Sequence, residues 1–144
     1  MITERGAPMK IIMDAMGGDN APAAQVQGAI EAVNERKDIR VILVGKEDII
    51  KQELGKYKYH EEQISVVHAS EVIETSEPPV NAIRRKKDSS IVVGMNLIKN
   101  GEADGFVSSG STGALLVGGQ VIVGRVKGVD RAPLAPLIPT ESAM

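Results

Sequence analysis

The chain has no cysteine and no tryptophan, and only one phenylalanine and two tyrosines among its 144 residues. Without cysteine there is no disulfide, no thiolate nucleophile and no Cys-based metal site. A reducing compartment fits that composition. Aromatic residues make up 2% and apolar residues 42%, so the core has to be aliphatic. Val, Ile, Leu and Ala with small-residue packing are typical of α/β sheets buried on both faces. Long apolar runs are missing too, and no stretch approaches the ~18 consecutive apolar residues of a membrane span. Met1 to Pro8 lacks the apolar centre of a signal peptide and reads as an extension ahead of a second start at Met9. Excess charge is also absent. A net charge of −2 argues against a general nucleic-acid binder, which is usually basic. The length fits a single domain.

Glycine and small polar residues are what the chain has in abundance, and they cluster at two junctions. Lys10 to Asp14 is a short apolar run ending in an acid, followed by Ala-Met-Gly-Gly-Asp-Asn-Ala-Pro. This predicts a strand, a turn at Gly17-Gly18 and a helix capped by Asp19 or Asn20, with Pro22 in its first turn. Val26, Ile30 and Val33 form one helical face. A strand is expected at Ile39 to Val44, a short helix at Glu47 to Leu54 and a strand at Ile64 to Val67. The order β-α-β-α-β implies a parallel, doubly wound sheet. Ala69 to Val80, with Pro78-Pro79, reads as a long loop leading to the basic run Arg84-Arg85-Lys86-Lys87. A helix capped by Ser89 or Ser90 spans Ile91 to Lys99, and Phe106-Val107 returns to the sheet.

The second junction is Ser108-Ser-Gly-Ser-Thr-Gly113, before an apolar helix over Thr112 to Val123 with Ser111 or Thr112 as N-cap. Free N–H groups at a helix start attract anions, and Gly110 and Gly113 let a ligand approach the main chain. Two readings are open: a phosphate cradle, or an ordinary βα turn. Both junctions lie at strand C-termini, where open α/β sheets bind ligands. Neither matches a dinucleotide or nucleoside-triphosphate loop, and no cofactor or metal is expected. Asp14 is either functional or a strand terminator, and Asp19 is read as a cap. His60 and His68 have no partner spacing and are read as non-functional. The basic run is either an anion or acidic-partner contact or a solvated face. The tail holds Pro133, Pro136 and Pro139 among Leu134, Leu137 and Ile138, which suits neither a helix nor a central strand.

These residues carry a resemblance. Met13 to Pro22 resembles the opening motif of the phosphate acyltransferases, the PlsX family of bacterial phospholipid synthesis. Arg84 to Asp88 resembles the family's basic segment, and Val107 to Leu116 its glycine/serine turn. Gly128 to Arg131 with Leu134 to Thr140 resembles the segment after that helix. The four motifs occur in the expected order, and the match covers the N-terminal part of a longer family chain. Residues 1–8 are then an extension, and 9–144 the N-terminal portion of the α/β domain.

The resemblance implies a three-layer αβα fold like that of phosphotransacetylases, with a mainly parallel sheet. It also implies a cytoplasmic, peripherally membrane-associated homodimer. The implied activity moves a fatty acyl group from acyl carrier protein to inorganic phosphate, giving acyl phosphate. Asp14, Asn20 and Ser111 are the catalytic candidates. Gly17, Gly18, Ser108, Ser109, Gly110, Ser111, Thr112 and Gly113 are the candidates for binding phosphate or substrate. Arg84, Arg85, Lys86 and Lys87 are candidates for meeting the carrier protein or phosphate. The alternatives are an inactive fragment serving as a binding or dimerisation remnant, and a phosphotransacetylase-like enzyme using coenzyme A.

Overall fold

The computed structural model describes residues 7–136. Most of the expected extension, and Leu137, Ile138, Pro139 and Thr140 of the tail, lie outside them. Four strands form one all-parallel sheet: β1 (Met9–Asp14), β2 (Ile39–Gly45), β3 (Ile64–His68) and β4 (Gly105–Val107), in the order β3-β2-β1-β4.

Strand alternation sorts the side chains into layers. Val41 and Leu43 of β2 and Ile64 of β3, with Met13 and Val66 beside them, face helices α1 (Ala23–Glu35) and α2 (Glu47–Leu54). Their immediate neighbours Ile12, Ile42, Val44 and Val67, together with Phe106 of β4, face the other way, toward Val93, Leu97 and Ile98 of α4 (Ser90–Lys99). A helix α3 (Pro79–Arg85) and a helix α5 (Thr112–Gly118) complete that second layer through Ala82, Ile83, Ile91, Val92, Met95 and Ala114. Sheet strands buried on both faces need continuous aliphatic runs, which the composition supplies. Gly94, in the middle of α4, lies directly against the Phe106 ring. The one phenylalanine is therefore accommodated by a residue without a Cβ. Among the described residues no helix is long and apolar enough to cross a membrane.

Three expectations need correction. Asp19 and Asn20 do not cap α1. Pro22 holds the N-cap position with no side-chain cap, and Asp19 and Asn20 are exposed in the turn before it. Ala21 N–H closes that turn onto the Gly18 carbonyl (3.3 Å), and Ala24 N–H reaches the Asn20 carbonyl (3.1 Å). Pro22, which has no N–H to satisfy, is tolerated at the helix entrance. Secondly, the loop expected up to Val80 ends early, because α3 begins at Pro79, a proline in the first helical turn. Its seven residues are too few to show a helical period. Thirdly, the helix expected over Thr112 to Val123 is α-helical only to Gly118. It then widens into a π turn over Gly119–Val123 and stops at Gly124, where φ is +103°. Ser111 and Ser89 do cap their helices, accepting from Ala114 N–H and Val92 N–H.

Candidate functional site

Strand order locates the site. From β1 the sheet grows through β2 to β3 on one side, whereas β4 lies on the other. The helix after β1 packs on one face, and the helix after β4 joins the layer on the opposite face. That is a topological switch point, where the two connecting turns part and open sheets bind ligands. The turns in question are Ala15–Pro22 and Ser108–Ser111, the two glycine-containing junctions of the sequence.

The structure brings them into contact. Asp14, 1% exposed at the end of β1, accepts from Met16 N–H with Oδ1 (3.0 Å) and from the Ser108 hydroxyl with Oδ2 (2.7 Å). The Ser108 oxygen in turn accepts from Gly110 N–H (2.9 Å). A Cβ on Gly17 would lie 2.6 Å from Asp14 Oδ2 and 2.7 Å from the Gly110 nitrogen. Only two glycines allow the backbones to come this close. Gly18 adopts φ +91°, a conformation that favours glycine, and faces Ser109, whose Cβ would be 3.1 Å from a Cβ at Gly18.

Asp14, Gly17, Gly18, Ser108, Ser109 and Gly110 thus form one cluster. The other candidates are placed differently. Ser111, 6% exposed, spends its hydroxyl on Ala114 N–H. Thr112 is exposed at the first position of α5, and the helix start leaves Thr112 and Gly113 N–H without intrahelical acceptors. Gly113 does not keep the main chain open for a ligand. Its missing Cβ would lie 2.6 Å from Pro79 Cγ, so close packing of α3 on α5 excludes a side chain there. Asn20 lends the site no contact among the described residues.

The basic run splits. Lys86 donates to the Val72 carbonyl (2.6 Å) and pairs with Glu77, which holds the Glu77 carboxyl below its usual value. Lys87 reaches back to the Ile83 carbonyl (3.3 Å). Arg84 and Arg85 are exposed in the last turn of α3 and make no ion pair among the described residues. The strap before α3 is stitched down by a second aspartate–serine pair: Asp88 accepts from Ser70 N–H and the Ser70 hydroxyl. These two bonds, the hydroxyl first, push its carboxyl below the ordinary range. The His68 Nδ1 accepts from Glu47 N–H (3.3 Å) at the start of α2. Among the described residues no three His, Asp or Glu side chains gather to hold a metal ion.

Sequence reasoning missed Gln25. It lines a cleft of about 170 Å³ together with Met13, Asp14, Ala24, Val107, Ser108 and Ser109. Its Nε2 donates to the Gly17 carbonyl. The only sequence signal is its place four residues before Ala29, on the buried face of α1, where a polar residue needs a partner.

Comparison with known proteins gives a consistent result. Residues 9–144 match a family described as fatty acid synthesis protein. The chain is 54% identical over 132 residues to the phosphate acyltransferase of Alkaliphilus oremlandii, covering 92% of this chain and 39% of that protein. The phosphate acyltransferase of Clostridium tetani is 50% identical over 135 residues, covering 94% and 40%. That of Clostridium kluyveri is 55% identical over 131 residues, covering 91% and 39%. The chain therefore spans about two fifths of the length of the curated relatives it matches.

Proposed function

This chain belongs to the fatty acid synthesis protein family, and we propose that it is the N-terminal part of a phosphate acyltransferase that moves a fatty acyl group from acyl carrier protein to inorganic phosphate. The observation that carries this reading is the convergence of the two turns at the switch point, through Asp14–Ser108 and the Gly17–Gly110 approach.

The reaction needs no enzyme nucleophile. A phosphate oxygen attacks the thioester carbonyl, a C–O bond forms, and the carbonyl electrons move onto oxygen. The tetrahedral oxyanion collapses, the C–S bond breaks, and the thiolate leaves and is protonated. The protein has to hold phosphate against the carbonyl and present fixed donors to the oxyanion. The structure narrows which groups are free for that. The Ser108 hydroxyl is committed to Asp14, Gly110 N–H to Ser108, and the Ser111 hydroxyl to its helix. The hydroxyls of Ser109 and Thr112 and the N–H groups that open α5 are the remaining donors. Asp14 acts by positioning the Ser108 turn. Arg84 and Arg85 are the cations of the basic run available to an acidic carrier protein. They stand about 8–9 Å along α3 from Pro79, which packs against Gly113 in the first turn of α5. Assembly as a homodimer and contact with the membrane surface belong to the same proposal.

The test is acyl-phosphate formation by this chain from acyl carrier protein thioester and phosphate. Product from the carrier-protein thioester, and little from the coenzyme A thioester, supports the reading. Equal use of coenzyme A favours a phosphotransacetylase-like enzyme. Phosphate binding at Ser109 without product from either thioester identifies the chain as a binding portion of the longer family enzyme.

A further inference from the structure

Helix α3 carries a second cleft, of about 380 Å³, lined by Glu77, Pro78, Asn81, Ala82, Arg85 and Lys86. None of these residues lines the cleft where the two turns meet. Pro78, Asn81, Ala82 and Arg85 recur at spacings of three and four, which puts them on one face of the helix. Pro78 and the buried Ala82 supply the apolar part of the cleft. Arg84 is turned about 100° away from Arg85 around the helix. It stands four residues after the exposed Val80 and does not line the cleft. Two adjacent arginines are thus placed differently.

The polar groups of the cleft are not equally free. Lys86 Nζ donates to the Val72 carbonyl and to Glu77 Oε1. Glu77 Oε1 also accepts from Glu74 N–H (2.8 Å). Glu77 and Lys86 therefore neutralise each other. Arg85 makes no ion pair, and the Asn81 carboxamide no hydrogen bond, among the described residues. These two side chains stand four residues apart, neighbours on the helix surface. A guanidinium is a planar fork of donors that meets a carboxylate with two parallel bonds. A carboxamide beside it adds N–H donors.

We propose that this cleft seats one carboxylate side chain of the acidic carrier protein, with Arg85 and Asn81 as its anchor and Arg84 acting only by long-range attraction. This rests on the carrier-protein reading given above. Pro79, at the start of the same helix, packs against Gly113 in the first turn of α5, so a carrier seated here sits on the helix that adjoins the candidate site. The two arginines then govern different rates. A cation at the rim speeds the encounter and is screened by salt, whereas an anchored, hydrogen-bonded pair holds the complex and sets its dissociation.

The experiment is stopped-flow binding of acyl carrier protein to the 144-residue chain, at low salt and at about 1 M salt. Arg84→Gln should slow association about twofold at low salt, match the wild type at high salt and leave dissociation unchanged. Arg85→Lys keeps the charge and loses the fork. It should associate at the wild-type rate and dissociate about tenfold faster at both salt concentrations. Asn81→Ala should dissociate about threefold faster. All three positions are exposed, so the variants should fold as the wild type does. A wild-type dissociation rate in Arg85→Lys or in Asn81→Ala overturns the inference, as does an equally raised dissociation rate in Arg84→Gln; in each case the carrier-protein reading stands. If the wild-type chain does not bind the carrier protein, that reading and the anchor fall together.

Discussion

Two aspartate–serine pairs hold this molecule together at different places, with the same atoms and opposite surroundings. Asp14 accepts from the Ser108 hydroxyl at the switch point and is 1% exposed. Asp88 accepts from the Ser70 hydroxyl on the strap before α3, in the open. Around Asp14 the neighbours are glycine backbones, which approach because they have no side chains. Around Asp88 they are charged, with Glu71 Oε2 accepting from Asp88 N–H and Lys86 nearby tied to Glu77. Water competes for every bond of the exposed pair and for few of the buried one. The same hydrogen bond should therefore matter most where a lost partner cannot be replaced by water.

Filling the space between the two turns breaks the buried side most severely. Gly17→Val places carbon on the Asp14 carboxylate and the Gly110 nitrogen and should cost about 3 kcal/mol or more in urea unfolding. Gly28→Ala is the control within the same region of sequence. A Cβ there meets nothing within 4 Å, and a helix-interior glycine replaced by alanine should gain about 0.5–1 kcal/mol. Equal effects at the two positions would show that the close approach of the turns has no energetic meaning.

Next in size is the contrast between the carboxylates themselves. Asp14→Ala leaves the Ser108 hydroxyl and Met16 N–H without their acceptor and should destabilise by about 2–3 kcal/mol. Asp88→Asn should cost clearly less. The smaller penalty has a pH signature, because the Ser70 hydrogen bonds depress the Asp88 carboxyl. A carboxyl whose folded-state value is depressed contributes stability in full above its unfolded value, and that contribution is lost as pH falls through the folded value. The gap between wild type and Asp88→Asn should hold at neutral pH and close progressively below about pH 4. A gap that widened on acidification would contradict the hydrogen bonds as the cause. Urea midpoints of both proteins across that range provide the reading.

The smallest effect on stability is expected at Arg84 and Arg85, which make no ion pair among the described residues. Arg84→Glu/Arg85→Glu should leave unfolding almost unchanged, as exposed substitutions usually do. Association with an acidic carrier protein should slow at low salt and approach the wild-type rate at 1 M, where the Debye length is ~3 Å. Lys86→Ala should do the reverse, loosening the strap through Glu77 and Val72 with little effect on the on-rate. A carrier on-rate indifferent to both arginines would return them to solvated surface.

Much of the fold was legible because its signals are local. The aliphatic strands at Ile39 and Ile64, the helical face Val26–Ile30–Val33 and the serine caps at Ser89 and Ser111 each follow from a few adjacent residues. The capping of α1 was misread for the same reason. Asp19 and Asn20 have the right chemistry for a cap, but the chain turns through them before Pro22 and spends their backbone there. Helix α3 escaped because seven residues behind two prolines carry too little periodicity. The basic run looked like one feature because sequence counts charges, whereas Lys86 is drawn down by Glu77, nine residues upstream.

The sequence alone determined the parallel α/β class, the two glycine turns and their place at strand ends. Those depend on residue size, backbone freedom and alternation, which are properties of short stretches. Only the tertiary structure decided that the two turns meet. Asp14 meets Ser108 across 94 residues of chain, and it does so because β4 pairs with β1 rather than with β3. The same pairing turned Gly17 and Gly110 from turn formers into a contact and enclosed Gln25 at the edge of the cleft. Strand order is a cooperative choice of the whole sheet, and no local stretch contains it.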